Sequence, residues 1–424
     1  MKFHKVKAGS LQFAIMVSAI IAVLLSVFIV LVHSHTLFAK KSDLLIETIQ
    51  QTENILLTKS QDFSIKRDTI FSQINTKIAT SSKIHQSYWG MYGKTYVETK
   101  SKAKSFKKIA LTSGWQKSED RIGLYLQETN RPLIIVGNTK IEGKTFLPAR
   151  GVRAGTISGN SYYGNKLVYG TILRSNETLP ELPKQLTNYI ASLQIVPLPI
   201  DDDRYINLKQ GNTYTNSFTK PVKIIFVRGE LDLLDVKLIG NILVRSDKKI
   251  KVAASTTLKD VILVAPEIEI EPNTKGTFQA IATKRIIVGK NCELSYPSSL
   301  VIFAKDNLEE VSSSTEKEHI FIDTDTTVKG IICYVQNITN NRFEPQILLK
   351  ENTTVEGFLY CQQQIELLGN IEGSVYTKGF ITKQFGSVYQ NHIYNGTISN
   401  VALINEYVGF PFENLDYKIV KWLY

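Results

Sequence analysis

Apolar positions follow three regimes along the chain. Residues 11–32, LQFAIMVSAIIAVLLSVFIVLV, form an unbroken apolar run in which fifteen of twenty-two residues are Leu, Ile, Val or Phe and none is charged. As a helix rising 1.5 Å per residue the run reaches about 33 Å, enough to cross a hydrocarbon core of about 30 Å. Residues of this type contribute roughly −0.3 to −0.6 kcal/mol each to insertion near the bilayer centre, which offsets Gln12, Ser18 and Ser26. A cleaved secretory signal has a shorter apolar stretch of about 7–15 residues, and Leu37-Phe38-Ala39 is a poor cleavage match. The run predicts a retained single span over 11–33 behind a basic leader, 1–10. Lys2, Lys5 and Lys7 favour a cytoplasmic N-terminus, a bias that Lys40 and Lys41 weaken. The body is then expected outside the cytoplasm.

The second regime has helical spacing. Leu37, Leu44, Leu45, Ile49, Leu56 and Phe63 recur among Lys41, Asp43, Glu47, Gln50 and Glu53, which predicts an amphipathic stalk helix over 34–65. Its stripe is expected to pack on the protein's own β body rather than on other copies.

The third regime is short and alternating. Residues 66–200 are read as a β-rich region broken by many glycines and ending in a proline-containing connection, with a short helix near 183–193. Residues 201–400 contain internal repeats. Ile242-Leu243-Val244 returns as Ile262-Leu263-Val264, and Lys249-Ile-Lys-Val is echoed by Glu267-Ile-Glu-Ile and Arg285-Ile-Ile-Val. A second family reads Val328-Lys-Gly, Val355-Glu-Gly and Ile371-Glu-Gly, with glycines at 330, 357 and 373. In a parallel β-helix alternate side chains point inward, equivalent positions stack about 4.8 Å apart, and glycine fits where a corner needs positive φ. A β-sandwich would not require the matching glycine phrases. The predicted fold is therefore mainly β: a transmembrane helix and stalk, then a β-rich body with a parallel β-helix in the C-terminal half. The aromatic tail, 401–424, is expected to cap one end of the solenoid, whose edges would otherwise invite strand addition.

Composition narrows the function classes. Hydrophobic residues are 43% and charged residues 21%, against a mainly disordered chain and against a multi-span membrane protein. The net charge of +11 is spread over 424 residues without a dense Lys/Arg tract, so no nucleic-acid partner is expected. Three cysteines lack the close spacing of a zinc site.

The leader, Ala8-Gly9, the apolar helix and its amphipathic continuation resemble a type IV pilin or pseudopilin over the first 60 or so residues. That resemblance implies cleavage between Gly9 and Ser10 and a helix that first anchors the subunit and then packs in a filament. The family's glutamate five residues after the cut is absent, and Ala14 stands there. The Gly and Val/Ile repeats of about 240–400 resemble those of bactofilin-type polymer-forming domains, though bactofilin coils are more regular.

Candidate chemistry is sparse. No GxSxG, HxxxH or Cys/His signature is present, so neither a catalytic residue, a metal nor a cofactor is assigned. Trp89 and Tyr92, followed by Lys104, Lys107 and Lys108, offer rings and cations for an acidic glycan or the membrane surface; an ordinary hairpin with its aromatics inside is the blander alternative. Asp323 and Asp325 would share one strand face, as paired carboxylates for Ca²⁺ or glycan chemistry or as a solvated face; Asp201, Asp202 and Asp203 form another cluster. Cys333 and Cys361 occupy related repeat positions, so either a disulfide between neighbouring rungs or two buried thiols fits.

These features predict a non-enzymatic, single-pass envelope protein acting as a structural or interaction module, in its most specific version a minor pilin-like component of a pilus or secretion apparatus. Its partners would be the lipid bilayer, envelope or secretion proteins, further copies of itself and an acidic glycan. The alternative is a membrane-tethered β-helical polysaccharide lyase or hydrolase.

Overall fold

The computed structural model describes residues 9–65, 69–73, 80–101, 104–195, 203–304, 319–336, 344–412 and 415–423. The leader lysines and Asp201–Asp202 lie outside them. Two compact units divide the chain: residues up to 55 with 69–84 and 97–107, and residues 56–68 with 85–96 and 108–424.

One helix, α1 (Gly9–Gln61), runs without a break through both the apolar run and the stalk. Residues 11–32 are exposed throughout, and the mean hydropathy of the most apolar window is 3.2. Among the described residues this is the one helix long and apolar enough to cross a membrane.

Further along α1 the buried row is Thr48, Thr52, Leu56 and Ser60, four residues apart. Of the predicted apolar stripe, Leu56 is buried, Leu44 and Ile49 are half-buried, and Leu37 and Leu45 stay exposed. Small hydroxyl side chains let a helix approach its neighbour closely. Thr48 and Thr52 bond back to the carbonyls of Leu44 and Thr48, both at 2.7 Å, so burial leaves neither hydroxyl orphaned. Phe63, past the helix end, stacks on Tyr417 at 5.5 Å.

In the first unit strand Thr69–Gln73 pairs antiparallel with residues 80–84, and the Ser82 and Thr99 hydroxyls share a hydrogen bond of 3.0 Å.

The second unit is built on a three-walled parallel solenoid. Strands Thr213–Asn216, Lys223–Val227 and Glu230–Leu233 make the first turn and lie parallel to Lys237–Gly240, Ile242–Ser246 and Lys249–Val252 of the next. Thr257–Ile270 and Lys275–Val288 each traverse all three walls as a single bent strand. Inward side chains stack in columns. One runs Ile225, Val244, Leu263, Ala280, Leu300, Ile332, Leu359, Val375, and all of it is buried.

The repeats map onto this stacking. Val328, Val355 and Ile371 are in register, as are Gly330, Gly357 and Gly373, and Lys249, Glu267 and Arg285. The Ile-Leu-Val phrases are displaced by one residue, with Leu243 opposite Ile262, because the earlier rung is one residue longer at its corner: Ile239 pairs with Lys259, so residues 240–242 face only 260–261. Ile262 consequently faces the outer apolar cluster while Ile242 faces the core.

The column does not end at Val375. Its next member is Leu124, from strand Ile122–Leu126. On the other walls Ile135 stacks on Ile393 and Ile141 on Ile398. Strands Lys144–Leu147 and Val152–Ala154 add a further turn, and Ile172–Arg174 stacks on Lys144–Leu147 to begin the next. Residues 122–174 and 213–399 thus form one solenoid, the earlier segment stacked beyond the later.

The aromatic tail lies along a side wall. Strand Asp416–Leu423 pairs antiparallel with residues 109–115, and Phe410 and Phe412 pack on Tyr360 and Tyr376 at 5.2 and 4.7 Å. Helix α2 (Lys184–Gln194) buries Leu186 and Ile190 in the same outer apolar cluster.

Candidate functional site

The aromatic phrase around Gly90 is a hairpin turn seated on the solenoid wall. Trp89 is 5% exposed with its ring edge-on to Phe218 at 5.3 Å, and Tyr92 is 0% exposed. A seated Trp89 or Tyr92 leaves no ring face for a sugar, since burial in the apolar cluster already uses it. Lys104 and Lys107 are exposed, and Lys108 lies over the Trp422 ring at 4.1 Å. Lys94 is over Trp89 at 5.7 Å, and burial lowers its pKa.

Asp323 and Asp325 fall in a corner between strands His319–Ile322 and Thr327–Val335, not on a shared strand face. Asp323 accepts from the Thr324 N–H at 2.8 Å, and Asp325 (φ 59°) accepts from Asn352 Nδ2 at 3.2 Å. Asp325 holds left-handed backbone, which a short polar side chain tolerates where the coil turns. The same corner recurs as Asn273-Thr274, Asn291-Cys292, Asp325-Thr326 and Asn352-Thr353. The first residue of each pair has φ between 54° and 65°, and the second is buried. Asn291 Nδ2 donates to Asn273 Oδ1 at 2.7 Å, and Thr326 Oγ1 donates to the Gly289 carbonyl at 2.9 Å. These Asn/Asp-Thr/Cys pairs are a repeat signal in the sequence as legible as the glycines, and the sequence reading missed them.

Cys333 and Cys361 are free thiols. Cys333 is in register with Tyr360, and Cys361 with Tyr334, so the two cysteines occupy successive positions along their strands. Successive side chains point to opposite faces; Cys333 belongs to the outer apolar cluster and Cys361 to the core. The disulfide alternative is excluded by that one-residue offset. Burial pushes the Cys361 thiol up to about 12.

No three His, Cys, Asp or Glu side chains converge as a metal site among the described residues. His392 Nδ1 donates to the Gln390 carbonyl at 2.6 Å, and burial lowers its pKa. Glu366, 6% exposed, has its pKa raised by burial.

Among the described residues, the longest continuous exposed apolar surface is residues 11–32 of α1. No protein family matches the sequence. No curated protein matches it either. Among solved structures, the competence-associated pilin ComZ from Thermus thermophilus is similar over 91% of this chain and 94% of that one, at 10% identity and a TM-score of 0.23. A score that low does not establish a shared fold.

Proposed function

We propose that the chain is a single-pass, membrane-anchored extracytoplasmic protein with a structural or interaction role, and in its most specific form a minor pilin-like component of a pilus or secretion apparatus. The observation that carries the reading is α1. Its residues 11–32 are uncharged, predominantly apolar and exposed, while Thr48, Thr52, Leu56 and Ser60 of the same helix are buried. Nineteen exposed apolar residues in water would be an untenable patch, and a bilayer removes that cost. The solenoid supplies a stiff body, because every turn is hydrogen-bonded to its neighbours.

The test is fractionation of cells expressing the full chain, followed by N-terminal sequencing. The reading expects the protein in the membrane pellet after alkaline carbonate washing, with the body digested by protease added from outside. A mature terminus at Ser10 supports the pilin-like form, and an intact Met1 removes it. Recovery in the soluble fraction overturns the whole reading. Val23→Arg and Leu24→Arg together should lower membrane recovery, since each costs roughly 2.5–3.5 kcal/mol at the centre of a span.

A further inference from the structure

At the first turn of the solenoid, strand Glu230–Leu233 pairs with Lys249–Val252 on one side and with no described strand on the other. The chain entering that turn covers a neighbouring wall instead. Ile206 N–H donates to the Ile224 carbonyl and Ile224 N–H to the Arg204 carbonyl, both at 2.8 Å. Between this entering segment and the uncovered strand lies a cavity of about 420 Å³, lined by apolar side chains that include Ile206, Leu208, Leu231 and Leu234, with Asp232 also in its wall.

The charge pattern of the wall states what would fit there. Its outward positions alternate in sign from turn to turn: Glu230, Lys249, Glu267, Arg285 in one column and Asp232, Lys251, Glu269 in the next. Deeper members are paired across turns, Lys249 with Glu269 at 2.6 Å, Lys251 with Glu271 at 2.9 Å and Arg285 with Glu267 at 2.6 Å. Glu230 and Asp232, at the end of both columns, enter no ion pair among the described residues and are exposed. Continuing the alternation by one rung places a cation opposite each of them. It also places apolar side chains opposite Leu231 and Leu233, which are 7% and 0% exposed.

We propose that this edge is a docking site for an extended strand of a partner polypeptide with the pattern Lys/Arg-apolar-Lys/Arg-apolar. The strand adds parallel to Glu230–Leu233 through main-chain hydrogen bonds, its cations meet Glu230 and Asp232, and an apolar side chain enters the cavity. The inference uses no residue of α1, so it and the membrane reading stand or fall independently.

The test is fluorescence anisotropy with the full chain in detergent micelles and labelled ten-residue peptides centred on Lys-Ile-Lys-Val, Glu-Ile-Glu-Val or Lys-Pro-Lys-Val. The expected result is saturable binding of the first and at least about tenfold weaker binding of the second, because two attractive cross-strand pairs become repulsive. The proline peptide should also bind more weakly, because it lacks a ladder donor. A Glu230→Lys/Asp232→Lys double variant, with folding checked by circular dichroism, should reverse the charge preference. The proposal is overturned if no peptide binds, if the acidic peptide binds as well as the basic one, or if proline is tolerated.

Discussion

The carboxamide of Gln279 grips the turn at Gly90 from both sides: its Oε1 accepts from the Met91 N–H at 2.8 Å and its Nε2 donates to the Trp89 carbonyl at 2.9 Å. The Ser299 hydroxyl donates to the same Oε1 at 2.9 Å. Residues 190 positions apart are thereby fixed in one geometry, and Gly90, at φ 61°, is required because a Cβ there would overlap the Gln279 carboxamide. Gln279 is 4% exposed, so the groups it satisfies are withheld from water.

Gln279→Leu keeps the bulk and deletes the bonds. It should cost about 2–5 kcal/mol, the penalty of leaving a buried N–H and a buried carbonyl unpartnered. Urea unfolding should show the shift, and native tryptophan emission should move to longer wavelength as Trp89 is unseated. A loss below about 0.5 kcal/mol with unchanged emission would mean that the turn is held by packing alone.

Two glycines with positive φ separate backbone freedom from close packing. Gly386 (φ 75°) has nothing within reach of a Cβ, whereas at Gly357 (φ 143°) a Cβ would overlap the carbonyl oxygen of Gly330 on the adjoining rung. Gly386→Ala should cost about 1–2 kcal/mol from conformation alone. Gly357→Ala should cost at least about 2 kcal/mol more, because the rung spacing must open. Equal midpoints in a denaturant series would refute the stacking argument.

Much of the solenoid was legible because its rungs repeat in the chain. Gly330, Gly357 and Gly373 align in the fold as they do in the sequence, since each meets the same steric demand. The matching of Ile242-Leu243-Val244 to Ile262-Leu263-Val264 misled by one residue, because an apolar triplet fits either face of a wall and the extra residue at the 240–242 corner is invisible to composition. The stacking of Leu124 on Val375 could not be read at all. Partners 251 positions apart leave no local period, and strands such as Lys140–Glu142 are too short to carry one. Trp89 and Tyr92 looked like surface ligands because an aromatic hairpin reads the same whether its rings face water or a second sheet. The stalk stripe was incomplete for the opposite reason: beside Leu56, which is buried, Thr48 and Thr52 are polar by type but small and self-bonded, so burial suits them too.

The thiols give a pH prediction. An unfolded cysteine titrates near 9, while burial raises Cys361 to about 12 and moves Cys333 in the same direction. A folded pKa above the unfolded one gives stability that is complete below pH 9 and declines as pH rises toward 12. Unfolding midpoints should therefore be flat from neutral pH to about 9 and fall beyond it. In the same native range thiol reagents should label the protein only at the rate of unfolding, and oxidant should give no Cys333–Cys361 linkage by mass spectrometry. A linkage formed in the folded protein would contradict the register.

Glu366 carries the reverse lesson for a carboxylate. Its Oε1 accepts from the Lys383 N–H at 2.9 Å, yet burial outweighs that bond and the attraction of Lys350 and Lys383, so its pKa is raised. The folded state then binds a proton more tightly than the unfolded one. Its stabilising contribution is complete below the ordinary carboxylate range and is lost as pH rises through the folded value, leaving a penalised charge at neutral pH. Glu366→Gln retains an acceptor oxygen for the Lys383 N–H and removes that charge. The variant should be more stable than the parent at pH 7.5, and the difference should vanish at pH 4, where Glu366 is protonated in the fold. Denaturation at the two pH values decides the point: a variant less stable at pH 7.5 would show that Lys350 and Lys383 hold the carboxylate charged.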